Sequence, residues 1–369
     1  MPLAVSLRAT ASEPYKPRRK VKKNSAFPAT LVTFPCPTQG RKAPFFLAAE
    51  EYVAAHLPLG DYLFAWILPP TVVMGRNQQM DAEIDVAFCK AEGIDIVRRK
   101  SGGGCIYADG GNIMFSLITA AGSVEPIFAD YAGAVAGALT QLGVEAHVSG
   151  RNDILLADGT KVCGNAFYHL SQRNIVHGTM LYDTDYRLMC GALTPATAKL
   201  RSAGVKSVRS RTGLIREQLP IGVETLRDKL LEMLCNRTIC LTDDAVREIE
   251  TIEATYRTPE HLLGRSALRA ATVAHSARIE GCGTLELSFV LSDAADDGTR
   301  TIEDVSLKGD FFDLGNAAET FRAAFLGAAF TQAALQAIVE ERAPQKQVRN
   351  LSREALGQYI SAFFSGNTE

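Results

Sequence analysis

The run Arg98-Arg99-Lys100-Ser101-Gly102-Gly103-Gly104-Cys105-Ile106-Tyr107-Ala108-Asp109-Gly110-Gly111-Asn112 leads from a short apolar strand, Ile96-Val97, into three consecutive glycines. Without Cβ atoms, such a segment can adopt positive φ and bring its N–H groups close to an anion, and the neighbouring arginines offer planar forks for phosphate or carboxylate. The bland alternative is a flexible turn. The loop is not G-x-x-x-x-G-K-[ST], and it does not carry G-x-G-x-x-G after a strand, so the P-loop and dinucleotide-binding readings weaken.

Working outward, Phe45 to Ala55 reads as a helix begun by Pro44. Tyr62 to Leu68 and Thr71 to Met74 read as strands separated by Pro69-Pro70, suggesting a hairpin-like unit. Asp81 to Glu92 reads as a helix closed by Gly93, Ile113 to Ile118 as a strand, Tyr131 to Leu142 as an Ala-rich helix, and Ile154 to Leu156 and Asn174 to Tyr182 as strands. These elements do not alternate strictly as βαβα, which favours an α+β fold: a large mixed, largely antiparallel sheet flanked by helices. After helices at Glu224 to Leu234 and Asp243 to Thr255, the hairpin Leu285 to Leu291 with Thr301 to Leu307 and three helices (317–326, 331–342, 352–364) read as a smaller α+β domain. The expected division is a basic, disordered tail at 1–28, a catalytic domain at 29–250 and an accessory domain at 251–369.

Composition sets the outer limits. The 369 residues are 47% hydrophobic and 22% charged, with 39 Lys+Arg against 41 Asp+Glu, so no global field draws the chain to nucleic acid or to an anionic membrane. The eight cysteines form no C-x-x-C pair, which argues against a zinc site or a disulfide scaffold and for a reducing, cytoplasmic setting. No apolar run approaches the length needed to span a bilayer. The first 23 residues hold seven Lys or Arg and one acid, Glu13. They read as a basic tail, with an organelle-targeting segment as the alternative.

Further along come Arg151-Asn152-Asp153, Lys161-Val162-Cys163-Gly164-Asn165-Ala166 and His177-Gly178-Thr179. A lysine at a strand edge beside glycine can set an ammonium against a phosphate or a developing oxyanion, and a nearby carboxylate can hold Mg²⁺. Taken singly, Lys161 also reads as a surface lysine, Asp153 as a turn residue and His177 as a satisfied strand histidine.

Together with Gly75-Arg76-Asn77-Gln78 and Gly111-Asn112, these motifs resemble, in order and spacing, the lipoate-protein ligase family. The resemblance extends from Pro44 through Lys206-Ser207-Val208-Arg209-Ser210-Arg211 to Lys308-Gly309-Asp310-Phe311-Phe312, which is similar to the accessory domain of the two-domain ligases. It implies the fold shared with biotin protein ligases and a two-step reaction. Lipoate and ATP with Mg²⁺ give lipoyl-AMP, and an acceptor lysine then takes the lipoyl group.

The resemblance implies roles residue by residue. Lys161 and Arg99 are the catalytic cations. Gly104, Tyr107 and Asn112 meet the adenine, Asp153 the metal or phosphate, and Ser101, His177 and Thr179 the lipoyl-adenylate, with Arg76, Gly102, Gly103, Asn152 and Gly164 also in the binding set. Implied partners are lipoyl-domain acceptors, namely the acyltransferase subunits of 2-oxoacid dehydrogenases and the glycine-cleavage H protein, served by a monomeric enzyme. Ala108 and Val176 stand where the family commonly has histidine. Two other readings stay open: an ATP-independent octanoyl or lipoyl transferase working through a thioester on Cys105 or Cys163, and a non-catalytic lipoyl-binding protein.

Overall fold

The computed structural model describes residues 28–149, 152–170, 172–193, 211–264, 271–296 and 298–365. The basic tail, Arg151 and the motif residues 206–210 lie outside them. Fourteen strands are described: β1 (Ala29–Thr33), β2 (Tyr62–Trp66), β3 (Thr71–Met74), β4 (Asp95–Arg98), β5 (Ile106–Ala108), β6 (Asn112–Ala120), β7 (Ala146–Ser149), β8 (Asp153–Leu156), β9 (Lys161–Leu170), β10 (Arg173–Leu181), β11 (Cys235–Cys240), β12 (Val273–Ile279), β13 (Gly283–Leu291) and β14 (Ile302–Gly309).

Eight of them form one sheet in the order β11-β1-β2-β6-β10-β9-β8-β7. The β1 pairings with β2 and β11 are parallel, and the other pairings of that sheet are antiparallel. The expected mixed, largely antiparallel sheet is therefore present. Its central strand β6 is buried from Asn112 to Ile118, as expected where both faces are covered. One face packs on helices Val124–Gln141 and Val223–Leu234, through Phe128, Tyr131, Leu139, Leu226 and Leu230. The other packs on helix Ala43–His56, whose residues 43–50 are all buried, and on helix Asp243–Tyr256.

That last helix runs through residue 250 without a break, and Val246 and Ile249 belong to the cluster around Phe45, Phe46 and Trp66. Beyond it, β12, β13 and β14 form a separate antiparallel sheet whose core includes Leu287, Phe289, Phe321, Phe325, Leu335 and Ile360.

Three local expectations need correction. β2 and β3 form no hairpin: after Pro69-Pro70 the chain leaves the large sheet, and β3 sits between β4 and β5 in a small sheet of its own. The helix expected over 81–92 is two pieces, Met80–Glu83 and Val86–Ala91. Between them Ile84 bridges to Leu193 and Asp85 caps the second piece by accepting from the Phe88 amide at 2.9 Å. The Ala-rich helix begins at Val124 instead of Tyr131, because Pro126 lies in its first turn, where no intrahelical N–H is required.

Candidate active site

The glycine loop joins β4 to β5 at the small sheet. Arg99 Nε donates to Ser101 Oγ at 2.8 Å, Nη1 to the Val73 carbonyl at 2.9 Å, and Nη2 to the carbonyls of Gly102 and Gly104 at 2.7 and 2.8 Å. Burial holds its pKa down to about 10, still far above neutrality, so the cation persists. Arg98 Nη1 donates to the carbonyls of Gly75, Arg76 and Gln78 at 2.8 to 3.0 Å, and its Nε to that of Leu262 at 2.9 Å. The two guanidinium forks expected to face an anion are therefore filled here by main-chain oxygens and the Ser101 hydroxyl. They shape the loops around the site.

Behind the loop runs a buried polar chain. Ser101 Oγ lies 2.6 Å from His177 Nε2, and His177 Nδ1 lies 3.1 Å from both oxygens of Glu50. Ser116 Oγ donates to Glu50 at 2.6 Å and receives the Trp66 indole N–H at 2.9 Å. His177 is thus held at both ring nitrogens, by the Ser101 hydroxyl at Nε2 and by the Glu50 carboxylate at Nδ1. The connectivity is that of an acyl-transfer triad. However, Ser101 is completely buried and does not line the cavity, so the chain builds a wall and not a nucleophile.

Lys161 opens β9, and its main chain is held by the segment 211–213: its amide donates to the Arg211 carbonyl at 2.9 Å and its carbonyl accepts from Gly213 at 3.0 Å. The ammonium lies 2.8 Å from Asp153 Oδ1. It can do so because a Cβ at Gly164 would stand 2.6 Å from Nζ.

These parts enclose a cavity of about 320 Å³. Arg99, Gly103, Gly104, Tyr107, Asn152, Lys161, Gly164, His177 and Thr179, all expected at the site, line it. Five other expected residues do not. Ser101 and Gly102 lie behind it. Asn112 is fully buried, its Oδ1 accepting from the Asp109 amide at 2.7 Å while its Nδ2 lacks a partner among the described residues. Asp153 reaches the site through Lys161. Arg76 turns away, donating to Asn316 Oδ1 at 3.0 Å and the Gly315 carbonyl at 3.3 Å.

Trp66, Asn165 and Phe312, which also line the cavity, and Glu50 behind it were missed. Asn165 and Phe312 stand in motifs quoted above without a role, and Glu50 closes the apolar helix run Phe45-Phe46-Leu47-Ala48-Ala49. Phe312 comes from the C-terminal unit. The Phe311 carbonyl accepts the Gly103 amide at 3.0 Å, and the Gly309 amide donates to the Asn77 carbonyl at 2.9 Å. The Phe312 ring faces Phe167 at 6.0 Å between centroids.

Burial pushes the thiols of Cys105 and Cys163 up to about 12, outweighing the nearby Arg99 and Lys161 charges. Both are therefore neutral thiols at physiological pH, the opposite of an activated nucleophile. Among the described residues no group of three or more His, Cys, Asp or Glu is arranged to hold a metal. Mg²⁺ needs only one or two carboxylates when phosphate and water oxygens complete its shell, and the partly exposed Asp153 carboxylate beside the cavity fits that pattern.

The model of the lipoyl protein ligase A/B catalytic domain matches residues 42–235, more than half of the chain. The chain belongs to that family. It is 35% identical over 285 residues to the lipoate-protein ligase LplJ of Bacillus subtilis, covering 74% of this chain and 83% of that one. To lipoate-protein ligase 1 of Staphylococcus aureus it is 34% identical over 279 residues, covering 73% and 82%. The fold is similar to that of Plasmodium falciparum LipL1, solved in complex with lipoate, with a TM-score of 0.72 over 90% of this chain and 99% of that one at 18% identity. It is also similar to a lipoate-protein ligase A bound with ATP, with a TM-score of 0.55 over 64% and 99% at 22% identity. As a lipoyl protein ligase family enzyme, the chain carries the glycine loop, β9 and β10 inside the matched span. Among the described residues no helix is long and apolar enough to cross a membrane.

Proposed function

We propose that this enzyme activates lipoate with ATP to lipoyl-AMP and passes the lipoyl group to a lysine of an acceptor lipoyl domain. The observation that carries this reading is the Lys161 ammonium at the rim of an apolar cavity bounded on another side by the glycine loop. Leu47, Trp66, Val73, Met114 and Leu181 offer an aliphatic acyl chain a dry seat, walled by His177. In the first step the lipoate carboxylate attacks the α-phosphorus, the bond from that phosphorus to the bridging oxygen of the β-phosphate breaks, pyrophosphate leaves with the electron pair, and Lys161 stabilises the charge gathering on the phosphate oxygens. In the second the acceptor amine attacks the acyl carbonyl. Lys161 then polarises the mixed anhydride, AMP departs with the bonding electron pair, and the amine loses its proton. AMP is already a good leaving group, so no enzyme nucleophile is required. Mg²⁺ held at Asp153 would neutralise triphosphate charge.

The acceptor class is supported by the similar fold of a bipartite lipoate protein ligase described with its E2 lipoyl domain from Thermoplasma acidophilum (TM-score 0.59, 24% identity). The acyltransferase subunits of 2-oxoacid dehydrogenases and the glycine-cleavage H protein are the proposed acceptors, and the enzyme is proposed to act as a monomer in the cytoplasm. The C-terminal unit is proposed as an accessory domain that withdraws Phe312 from the cavity between the two steps.

Lipoate-dependent exchange of labelled pyrophosphate into ATP tests the first step. The ligase reading predicts exchange that requires lipoate and disappears in Lys161→Ala. Exchange unaffected by that substitution would remove Lys161 from the chemistry.

A further inference from the structure

Asn165 is a buried amide cross-strand from Gly178, on the face of β9 that carries Cys163 and Phe167 into the apolar core. Burying an amide there is unfavourable unless its hydrogen bonds are made. Its Oδ1 faces the Cys163 thiol at 3.9 Å, and its two nitrogens donate to one residue. The Asn165 amide and its side-chain Nδ2 both donate to the Asn152 carbonyl, at 3.0 and 2.8 Å, and Asn152 Nδ2 donates back to the Asn165 carbonyl at 2.5 Å. Asn152 immediately precedes Asp153, whose cross-strand partner is Gly164, the glycine over which the Lys161 side chain passes. A Cβ at Gly178 would lie 2.1 Å from Asn165 Oδ1, so the partner strand is hollowed out for this amide.

We propose that Asn165 is a positioning residue for the adenylation step. Its three-bond clamp on Asn152 fixes the start of β8, and so holds the Asp153 carboxylate where it orients the Lys161 ammonium over Gly164. The resemblance gave Asn152 a ligand-binding role, whereas its side chain here serves the clamp. A backbone pair alone would leave Asp153 at the frayed end of a strand, where a shift of an ångström is enough to misplace a charge meant for a transition state. This inference rests on the ligase reading, and one of its readouts does not.

The test compares wild type, Asn165→Ala and Asn165→Asp. Asn165→Ala removes the side-chain bond, and Asn165→Asp sets a carboxylate against the Asn152 carbonyl. Thermal midpoints establish folding. Pyrophosphate release gives kcat and KM for lipoate, and Lys161 labelling by an amine-reactive acetylating reagent is followed by peptide mass spectrometry. The clamp predicts a kcat at least tenfold lower in Asn165→Ala, lower still in Asn165→Asp, with KM for lipoate within about twofold of wild type. It also predicts several-fold faster Lys161 labelling as the pairing with Asp153 loosens. Unchanged kcat and labelling in a folded Asn165→Ala would overturn the proposal, as would a loss of kcat matched by KM and by general unfolding. If wild type releases no pyrophosphate with lipoate, the ligase reading fails. Lys161 labelling then still reports whether the clamp orients the ammonium.

Discussion

Glu50 is completely buried, and its two carboxylate oxygens each lie 3.1 Å from His177 Nδ1. The pair ties helix Ala43–His56 to β10 through the wall of the cavity, while Glu51, next along, pairs with Lys100 at 2.7 Å. Two consecutive acids thus hold the substrate wall and the start of the glycine loop.

Replacing Glu50 by Gln places an amide N–H toward donors from His177 or Ser116, leaving a buried donor unsatisfied at a cost of about 1–3 kcal/mol. The expected result, read by denaturant melts and steady-state kinetics, is that loss of stability together with a raised KM for lipoate and a smaller change in kcat. Glu50→Ala takes the acceptor away from both His177 and Ser116 and is expected to cost more than Glu50→Gln.

The thiols of Cys105 and Cys163, held up to about 12 by burial, carry little thiolate at pH 8. Their alkylation by iodoacetamide is expected to be slower than that of exposed Cys240 and to rise about tenfold per pH unit between pH 8 and 10, as expected for a group well below its pKa. Cys105→Ser and Cys163→Ser are expected to keep ATP-dependent turnover within a few-fold. An abolished turnover in either variant, with folding intact, would revive the thioester route.

A Cβ at Gly102 would stand 2.5 Å from the Phe311 carbonyl. Gly102→Ala is therefore expected to push the C-terminal unit off the glycine loop, read as faster amide exchange at Gly103 and Gly309, whose N–H groups bridge the two parts. Phe312→Ala is expected to open the cavity without disturbing those two amides. Equal protection in wild type and Gly102→Ala would mean that the contact between loop and unit is not tight.

Gly164→Ala tests the approach of the lysine directly. The added methyl would meet Nζ at 2.6 Å and displace the ammonium from Asp153. The expected outcome is a drop in kcat for adenylation of at least tenfold with an unchanged melting curve, measured by pyrophosphate release.

The fold was legible where a segment obeys one period. Leu285 to Leu291 alternates and forms β13, and the helices Val223–Leu234 and Asp243–Tyr256 present apolar stripes to the large sheet. It was illegible where tertiary context decided. β2 and β3 look like hairpin partners locally, but they belong to different sheets, a choice made by strands distant in sequence. The site shows the same division. Glycine loop, lysine and histidine could be named because their chemistry is local. Glu50 and Phe312 matter only through partners far along the chain and Asn165 only through Asn152 on the neighbouring segment, and nothing in Arg98 and Arg99 announced that the protein's own oxygens would fill their forks.

The central claim is tested most directly by the intact mass of an unmodified lipoyl domain after incubation with the enzyme, free lipoate and Mg²⁺, with and without ATP. A gain of one lipoyl group that requires ATP and is lost in Lys161→Ala is the predicted result. An acceptor that stays unmodified with ATP and lipoate, yet gains an acyl group from octanoyl-acyl carrier protein without ATP, would contradict it.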